Sequence, residues 1–383
     1  MLITDLTIGG LRAYSPEPTQ VELAPLTMVF GPNSAGKSSL LSVLPMLQQT
    51  IAQPEVLTMS GDLVEGGTFR MAVHKHDDTL PMTLGFGWRA PSGNRHSGYG
   101  EFHWDAQHRV ARRTRMFVDD GHEQGFIEGP RPWGNQPARL IARKLAPEFY
   151  ESLSRVYFLG PMRARAERTT MVGQRVDNYV GPSGEHMAEL LYDREDLLAQ
   201  VNEWCTRLGL GYQVRMLTPQ SPDIVISAGD FAVTALEDIR HDPPVLVSSR
   251  AVGYGVGQLL PVIVQCLLSN GGMVIVEQPE VHLHPRLQAA VGDLFVDTVN
   301  SGRAQLLVET HSEHLVLRTL RRVREGRLRA EDLAILYVDL HEDGAAFIRR
   351  LPVNAQGELE DGWPGGFFDE RLQEVLPGLG RDD

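Results

Sequence analysis

The chain has 383 residues, with 36 basic side chains against 49 acidic ones and a formal net charge of −13. Such a length fits one large domain or two of ordinary size, and 42% apolar with 22% charged residues excludes a disordered or collagen-like chain. The acidic balance opposes a DNA-coating role, which depends on displacing phosphate counterions with Lys and Arg. No apolar run reaches the roughly 18 residues needed to span a bilayer; the best, residues 259–268, contains Pro261 and Gln265. MLITDLTIGG at the N-terminus reads as an alternating strand without the build of a signal peptide, so a cytoplasmic protein is expected. Cys205 and Cys266 form no C-x-x-C pair and read as core residues.

In chain order, strands are predicted from Ile3 to Ile8 and from Leu26 to Phe30, separated by a Pro-rich turn at 15–18 and followed by a glycine loop and a helix. Short alternating segments then follow between residues 61 and 130: FRMAVHKH, MTLGFGW, YGEFHW and RVARRTRMFV. They predict an inserted antiparallel meander. Its Arg109, Arg112, Arg113 and Arg115 suit phosphate contact or, more simply, a solvated strand face. Helical periodicity covers 136–155 and 184–208, flanking a strand at 156–160, and YQVRMLT and DIVISAG read as a strand pair. From 255 the chain alternates: helix 255–269, strand MVIVE, helix 285–299, strand AQLLVE, helix 314–326, strand LAILYVDL. Alternation of this kind predicts an α/β fold with a mainly parallel sheet.

GPNSAGKS at residues 31–38 fits G-x-x-x-x-G-K-[ST] and stands between an apolar strand and a helix beginning near Ser38, where a phosphate loop belongs. Gly31 and Gly36 let the backbone around Asn33, Ser34, Ala35 and Ser39 curl about phosphates. Lys37 reaches the β and γ oxygens, and the Ser38 hydroxyl suits Mg²⁺. Lys37 is one of three lysines, with Lys75 and Lys144, in a chain that otherwise uses arginine. Within MVIVEQPEVHLHP a buried strand delivers Glu277 to the sheet's C-terminal edge, where it would hold Mg²⁺ or its water. AQLLVETHSEH brings His311 to the same edge. Gly253, Gly255, Gly257 and Gln258 precede an apolar helix, a second place that favours an anion.

In this order the four elements resemble the ABC-class ATPases, in the soluble branch that includes SMC-like and OLD-family proteins. More narrowly, GPNSAGKSSLL, YFLGPMRARAER, VGPSGEHMAELL, VGYGVGQLLPV, VEQPEVHLHPRLQ, ETHSEHLVLR and WPGGFFDE look like bacterial AAA-labelled ATPases that end in a small domain of unknown function. The resemblance implies an ABC-type ATPase head, ATP and Mg²⁺ as cofactors, and an ATP-sandwich homodimer. In it, the loop 253–258 of one subunit would close on nucleotide held by Lys37 of the other. Gln278 stands where most such ATPases carry a carboxylate base, and glutamine cannot accept the proton, so slow hydrolysis is implied. Glu280 is the replacement base and His311 the γ-phosphate sensor on this reading, with a structural salt bridge for Glu280 equally open. Gly253 replaces a serine of the wider class, which leaves phosphate contacts there to backbone amides and Gln258. His282 and His284 suit subunit contacts better than metal, and Arg163, Arg165 and Arg168 remain unranked among nucleotide, nucleic acid and carboxylate partners.

The expected organisation is an ATPase head in two parts, 1–60 and 246–340, a β insert at 61–130, a helical and strand lobe at 131–245, and a small tail domain at 341–383. The expected function is a nucleotide-gated dimeric switch for a separate effector, such as a nuclease, in bacterial defence or DNA maintenance, with DNA contact left open and no membrane partner. With about seventy residues after ETHSEH, any metal-nuclease domain is expected on a partner. Two alternatives stay open: a transporter-type nucleotide-binding subunit, and an ATP-held sensor with little hydrolysis.

Overall fold

The computed structural model describes residues 2–90, 92–129, 137–164, 169–171, 177–217, 231–248 and 252–364. Strands β1 (Leu2–Gly9), β2 (Thr19–Glu22) and β3 (Leu26–Phe30) lead to the glycine loop, and α1 (Lys37–Leu41) and α2 (Val43–Thr50) leave it. Next come α3 (Phe69–Ala72), β4 (Met82–Arg89), β5 (Arg95–Asp105), β6 (Val110–Asp119), β7 (Gln124–Glu128), α4 (Pro137–Ser154), β8 (Val156–Leu159) and β9 (Thr169–Met171). The middle of the chain supplies α5 (Met187–Asp193), α6 (Glu195–Arg207), β10 (Tyr212–Leu217), β11 (Phe231–Asp238) and β12 (Val245–Ser248). The last stretch is α7 (Tyr254–Leu268), β13 (Gly272–Glu277), α8 (Pro285–Asn300), β14 (Ala304–Glu309), α9 (Glu313–Arg324), β15 (Leu333–Leu340) and β16 (Ala346–Leu351).

The central sheet has the order β16-β15-β3-β14-β13-β8. All its pairs are parallel except β15 with β16. Every residue of β3, β13 and β14 is buried, as continuous apolar strands covered on both faces require. Alternation along each strand feeds two cores. Val274, Val276, Leu306 and Val308 pack with Ile263 of α7, Phe295 of α8 and Val316 of α9. Met273, Ile275 and Leu307 face the other way, towards Leu40, Val43 and Leu44.

A second sheet, β2-β1-β4-β5-β6-β7, is antiparallel throughout. The meander thus continues a sheet that the N-terminal strand begins. A third, small sheet joins β10, β11 and β12, with β9 paired to β11.

Buried Gln305 of β14 bolts the first two sheets together. Its Oε1 accepts from the Ile3 N–H at 3.0 Å, and its Nε2 donates to Ile3 O at 2.7 Å and Ala24 O at 3.1 Å.

Several expectations change. FRMAVHKH is not a strand: the Thr68 hydroxyl caps the short helix α3 by accepting from the Met71 N–H at 3.4 Å. Residues 184–208 form two helices because Arg194 is extended, at φ −134°. β16 lies in the stretch expected to be only a tail, and Thr19–Glu22 adds an unanticipated strand. Arg112 and Arg115 pair with Asp105 and Glu128, and Arg113 is buried, so the meander's basic run is largely engaged within the fold. Cys205 and Cys266 are buried and free. DIVISAG, Arg165, Arg168 and residues 365–370 of the WPGGFFDE stretch lie outside the described residues. Among the described residues no helix is long and apolar enough to cross a membrane.

The Gln305 bolt generates a stability prediction. Gln305→Leu removes a group that satisfies one N–H and two carbonyls, so it should lower the unfolding free energy by about 1–3 kcal/mol in urea titrations. A variant as stable as the parent would show that the two sheets are held by apolar packing alone.

Candidate functional site

The glycine loop turns at three left-handed or glycine-only positions: Gly31 at φ 144°, Ser34 at φ 63° and Gly36 at φ 109°. Gly31 is dictated by close approach, since a Cβ there would lie 2.0 Å from Val338 O of β15. The Tyr14 ring packs under Gly36, and its hydroxyl donates to Gly36 O at 3.2 Å. Lys37 is buried, and its Nζ donates to Gly31 O at 3.1 Å and Pro32 O at 2.7 Å, spanning the loop it opens from. Burial pushes the Lys37 ammonium pKa down, against the opposing pull of the Glu309 carboxylate.

That carboxylate was not anticipated from the sequence. β13 and β14 run parallel in a register that sets Glu277 beside Glu309, and Glu309 is in turn opposite Val29 of β3. Two acidic side chains therefore leave adjacent strands at the same edge, beside the loop. Ser38 Oγ donates to Glu309 Oε2 at 2.8 Å. Burial, and then the charge of Glu309, push the Glu277 carboxyl up to about 8. A hydroxyl and two carboxylates are hard oxygen donors, the set that suits Mg²⁺. Among the described residues no group of three or more His, Cys, Asp or Glu side chains could hold a metal ion. The donor set here accordingly suits a cation that takes further oxygens from phosphate and water, as Mg²⁺ does.

A cavity of about 340 Å³ lies over the loop, walled by Ser34, Lys37, Ser38, Gln278, Glu309 and His311 among others. Gln278 sits at φ 46°, an uncommon conformation for a side chain of its size, and its N–H donates to Glu309 O at 2.8 Å. The half-buried His311 imidazole has its pKa lowered by burial and then by the Lys37 charge, which favours the neutral ring. Glu280 does not line this cavity. It is buried, and its Oε1 accepts the His311 N–H at 2.6 Å. The expectation of Glu280 as base thus meets a carboxylate placed to hold the His311 backbone. Arg12, also missed from the sequence, lines both the loop cavity and a neighbouring one of about 250 Å³ that Glu277 and Ser38 share.

The second glycine segment is placed elsewhere. Gly253, Gly255 and Gly257 do not line the loop cavity. Nothing lies within 4 Å of a Cβ built on Gly253 or Gly257, whereas one on Gly255 would lie 2.5 Å from His282 O. Tyr254 is 55% exposed beside His282, with ring centroids 5.6 Å apart. His284 serves as the cap of α8, its Nδ1 accepting from the Arg286 N–H at 3.2 Å.

Gln258, expected to meet phosphate, is buried and engaged within the chain. Its Oε1 accepts the Arg163 N–H at 3.1 Å, and its Nε2 donates to Arg163 O at 2.7 Å. The buried Arg163 guanidinium completes the link, donating to Gln258 O at 3.4 Å and Glu277 O at 2.6 Å. The hydrogen bonds of its guanidinium go to backbone carbonyls, while the Glu280 and Glu277 carboxylates act on its charge.

A family model described as "AAA domain, putative AbiEii toxin, Type IV TA system" matches residues 26–318, and one described as a protein of unknown function (DUF3696) matches residues 328–376. No curated protein matches in sequence. Among solved structures, an SMC head bound to the C-winged helix domain of ScpA aligns at TM-score 0.54 and 12% identity, over 92% of this chain and 98% of that one. An SMC head domain from Thermotoga maritima aligns at TM-score 0.49 and 9% identity, over 92% of this chain and 100% of that one. An Smc head bound to the C-terminal domain of ScpA derived from Pyrococcus furiosus aligns at TM-score 0.49 and 11% identity, over 98% of each chain. The fold is that of an ABC-type ATPase head, and, with its glycine loop, both strand-end carboxylates and His311 inside the matched span, the chain belongs to the AAA-domain family described by that model.

Proposed function

We propose that this protein is an ATP-binding, slowly hydrolysing switch that closes as a homodimer on nucleotide and acts on a separate effector. One observation carries the reading. The loop lysine, the loop serine, two strand-end carboxylates, Gln278 and His311 converge on one sheet edge, while Gly253 and Gly257 at the α7 N-terminus line no part of the loop cavity and have open space where a Cβ would stand. A helix N-terminus flanked by glycine amides favours an anion, and a second copy of the chain could bring it to the phosphates held by the first.

In this reading Lys37 leaves the carbonyls of Gly31 and Pro32 for the β and γ oxygens of ATP, and the backbone from Asn33 to Ser39 wraps the phosphates. Ser38, Glu277 and Glu309 would hold Mg²⁺, which when bound neutralises phosphate charge. Neutral His311 donates a hydrogen bond to the γ-phosphate, and Glu280 fixes the His311 backbone. Gln278 orients the attacking water without taking its proton, which is the reason turnover is slow. The proposed division into a split head, a β insert, a lobe and a tail follows the boundaries given above. A nuclease effector, bacterial defence, an OLD-like ancestry, DNA contact and a cytoplasmic location belong to the same proposal, supported by the sequence resemblance. An ATP-held sensor that hardly hydrolyses is the second reading, and Gln278 is the residue that favours it.

Lys37→Ala should abolish ATP binding in calorimetry; unchanged affinity would remove the loop from the account. Saturating ATP with Mg²⁺ should double the light-scattering mass, and most clearly so in a hydrolysis-deficient variant. A mass that stays constant in both proteins contradicts closure on nucleotide. Single-turnover hydrolysis separates the carboxylates and the amide. Gln278→Glu should accelerate the step, since a positioned base contributes roughly 10²- to 10⁴-fold. Glu280→Gln keeps an acceptor for the His311 N–H and should stay within about threefold of the parent, whereas Glu280→Ala should fall by ~10-fold or more as His311 loses its anchor. A large loss in Glu280→Gln itself would restore Glu280 as the base.

A further inference from the structure

The segment that carries Arg163 is held on two sides by different kinds of contact. Towards α7 the contact is a clasp. Gln258 accepts the Arg163 N–H at 3.1 Å and donates to Arg163 O at 2.7 Å, and the guanidinium returns a bond to Gln258 O at 3.4 Å. Nearby, Gly160 N–H donates to Pro182 O at 2.9 Å and Ala164 N–H to Ser183 O at 2.8 Å. That loop abuts α7 in turn, since a Cβ on Gly184 would lie 2.5 Å from Pro261 Cγ. Residues 160–164, the loop 182–184 and α7 are thus linked as one block.

Towards β13 the contact is a single arm. Arg163 Nη2 donates at 2.6 Å to Glu277 O, the last carbonyl of that strand. Arg163 and Gln258 are only 5% and 6% exposed, so water does not replace a bond that breaks between them. A shift of the block therefore either carries the arm along or leaves a buried carbonyl and a buried guanidinium unpaired, which is costly. Charge reinforces the arm. Burial pushes the Arg163 pKa down to about 10, and the carboxylates of Glu280 and then Glu277 oppose that change. Glu280 in turn accepts the His311 N–H at 2.6 Å. One buried cation thus acts on the strand-end carboxyl and on the carboxylate that anchors His311.

The place of the clasp gives it a direction. Gln258 stands one turn after Tyr254, the first residue of α7, in the helix end that the proposed dimer brings to the phosphates of its partner. We propose that Arg163 is a positioning residue that passes movement of α7 on dimer closure to the Glu277 end of β13 in the same subunit, so that closure and Mg²⁺ binding strengthen one another. This inference rests on the nucleotide-gated reading above and adds the route through which one subunit's α7 governs its own cation site.

Coupling of two equilibria is reciprocal, so the effect of Mg²⁺ on dimerisation measures it. The experiment follows the dimer dissociation constant of the full chain in a non-hydrolysable ATP analogue by light scattering on dilution, with Mg²⁺ and with excess chelator. Mg²⁺ should tighten the parent dimer by about tenfold or more. Gln258→Met keeps the side-chain length and removes the amide; it should reduce that effect to about threefold or less. The analogue affinity of the dilute, monomeric variant, and its response to Mg²⁺, should stay within about threefold of the parent, a split that a general loss of structure would not produce. Arg163→Met should lose the coupling to the same degree, and the double variant should lose no more than either single one; if Arg163→Met fails to fold, Gln258→Met alone decides. Hydrogen exchange of the free protein reads the link without nucleotide, and peptides covering 274–281 should exchange faster in Gln258→Met. A parent that stays monomeric with the analogue and Mg²⁺ overturns the dimeric reading and this inference together. A parent that dimerises, with Gln258→Met retaining the full Mg²⁺ effect or unchanged exchange at 274–281, overturns this inference alone.

Discussion

The site depends on one register. Parallel pairing of β13 with β14 sets Glu277 beside Glu309, and parallel pairing of β14 with β3 sets Glu309 beside the strand that opens into the glycine loop. Burial first, and then the charge of the neighbouring Glu309, disfavour an ionised Glu277, as its raised pKa reports. The fold tolerates this because all-parallel strands, covered on both faces, cannot slip by one residue without turning Val274, Val276, Leu306 and Val308 out of their core. The packing of the sheet therefore enforces an electrostatic conflict at its edge, and a divalent cation held with the Ser38 hydroxyl would relieve it.

Around that edge the hydrogen bonds form a chain of backbone props. Arg163 takes the Glu277 carbonyl and is itself clasped by Gln258 at the start of α7. Gln278 N–H takes the Glu309 carbonyl, and Glu280 takes the His311 N–H. Each prop joins a segment that faces nucleotide in the proposal to another that does so. Arg163 and Gln258 in particular tie the α7 N-terminus to the end of β13, so that movement of α7 on dimer closure would be felt at Glu277 through two side chains. The link is buried, so breaking it leaves polar groups without water to replace their partners.

Much of this was legible in the chain. The alternation after residue 255 announced the parallel sheet, and the glycine loop between strand and helix announced Lys37 and Ser38, because spacing and context are local properties. Glu309 was passed over although VIVE and LLVE end alike. Only the pairing of the two strands makes that likeness meaningful, and register is a tertiary property. The resemblance assigns Gln258 to phosphate because Gly253 stands where the wider class has serine, whereas in the structure its amide is engaged by Arg163, 95 residues away. For Glu280 the sequence leaves base and structural carboxylate equally open, because distance along a loop says nothing about which way a buried carboxylate turns. FRMAVHKH failed for the opposite reason: a local cap, Thr68, overrode an apparent alternation.

In the proposed function Glu277 and Glu309, with Ser38, form one cation-dependent nucleotide site. The most direct test is ATP affinity by calorimetry with Mg²⁺ and with excess chelator, in the parent and in Glu309→Gln. Mg²⁺ should strengthen binding to the parent at least tenfold and have little effect on the variant, whose affinity in chelator stays equal to or above that of the parent because one repelling charge is gone. An undiminished Mg²⁺ response in Glu309→Gln would contradict it, placing the cation on other residues and leaving the Ser38 to Glu309 hydrogen bond a purely structural contact.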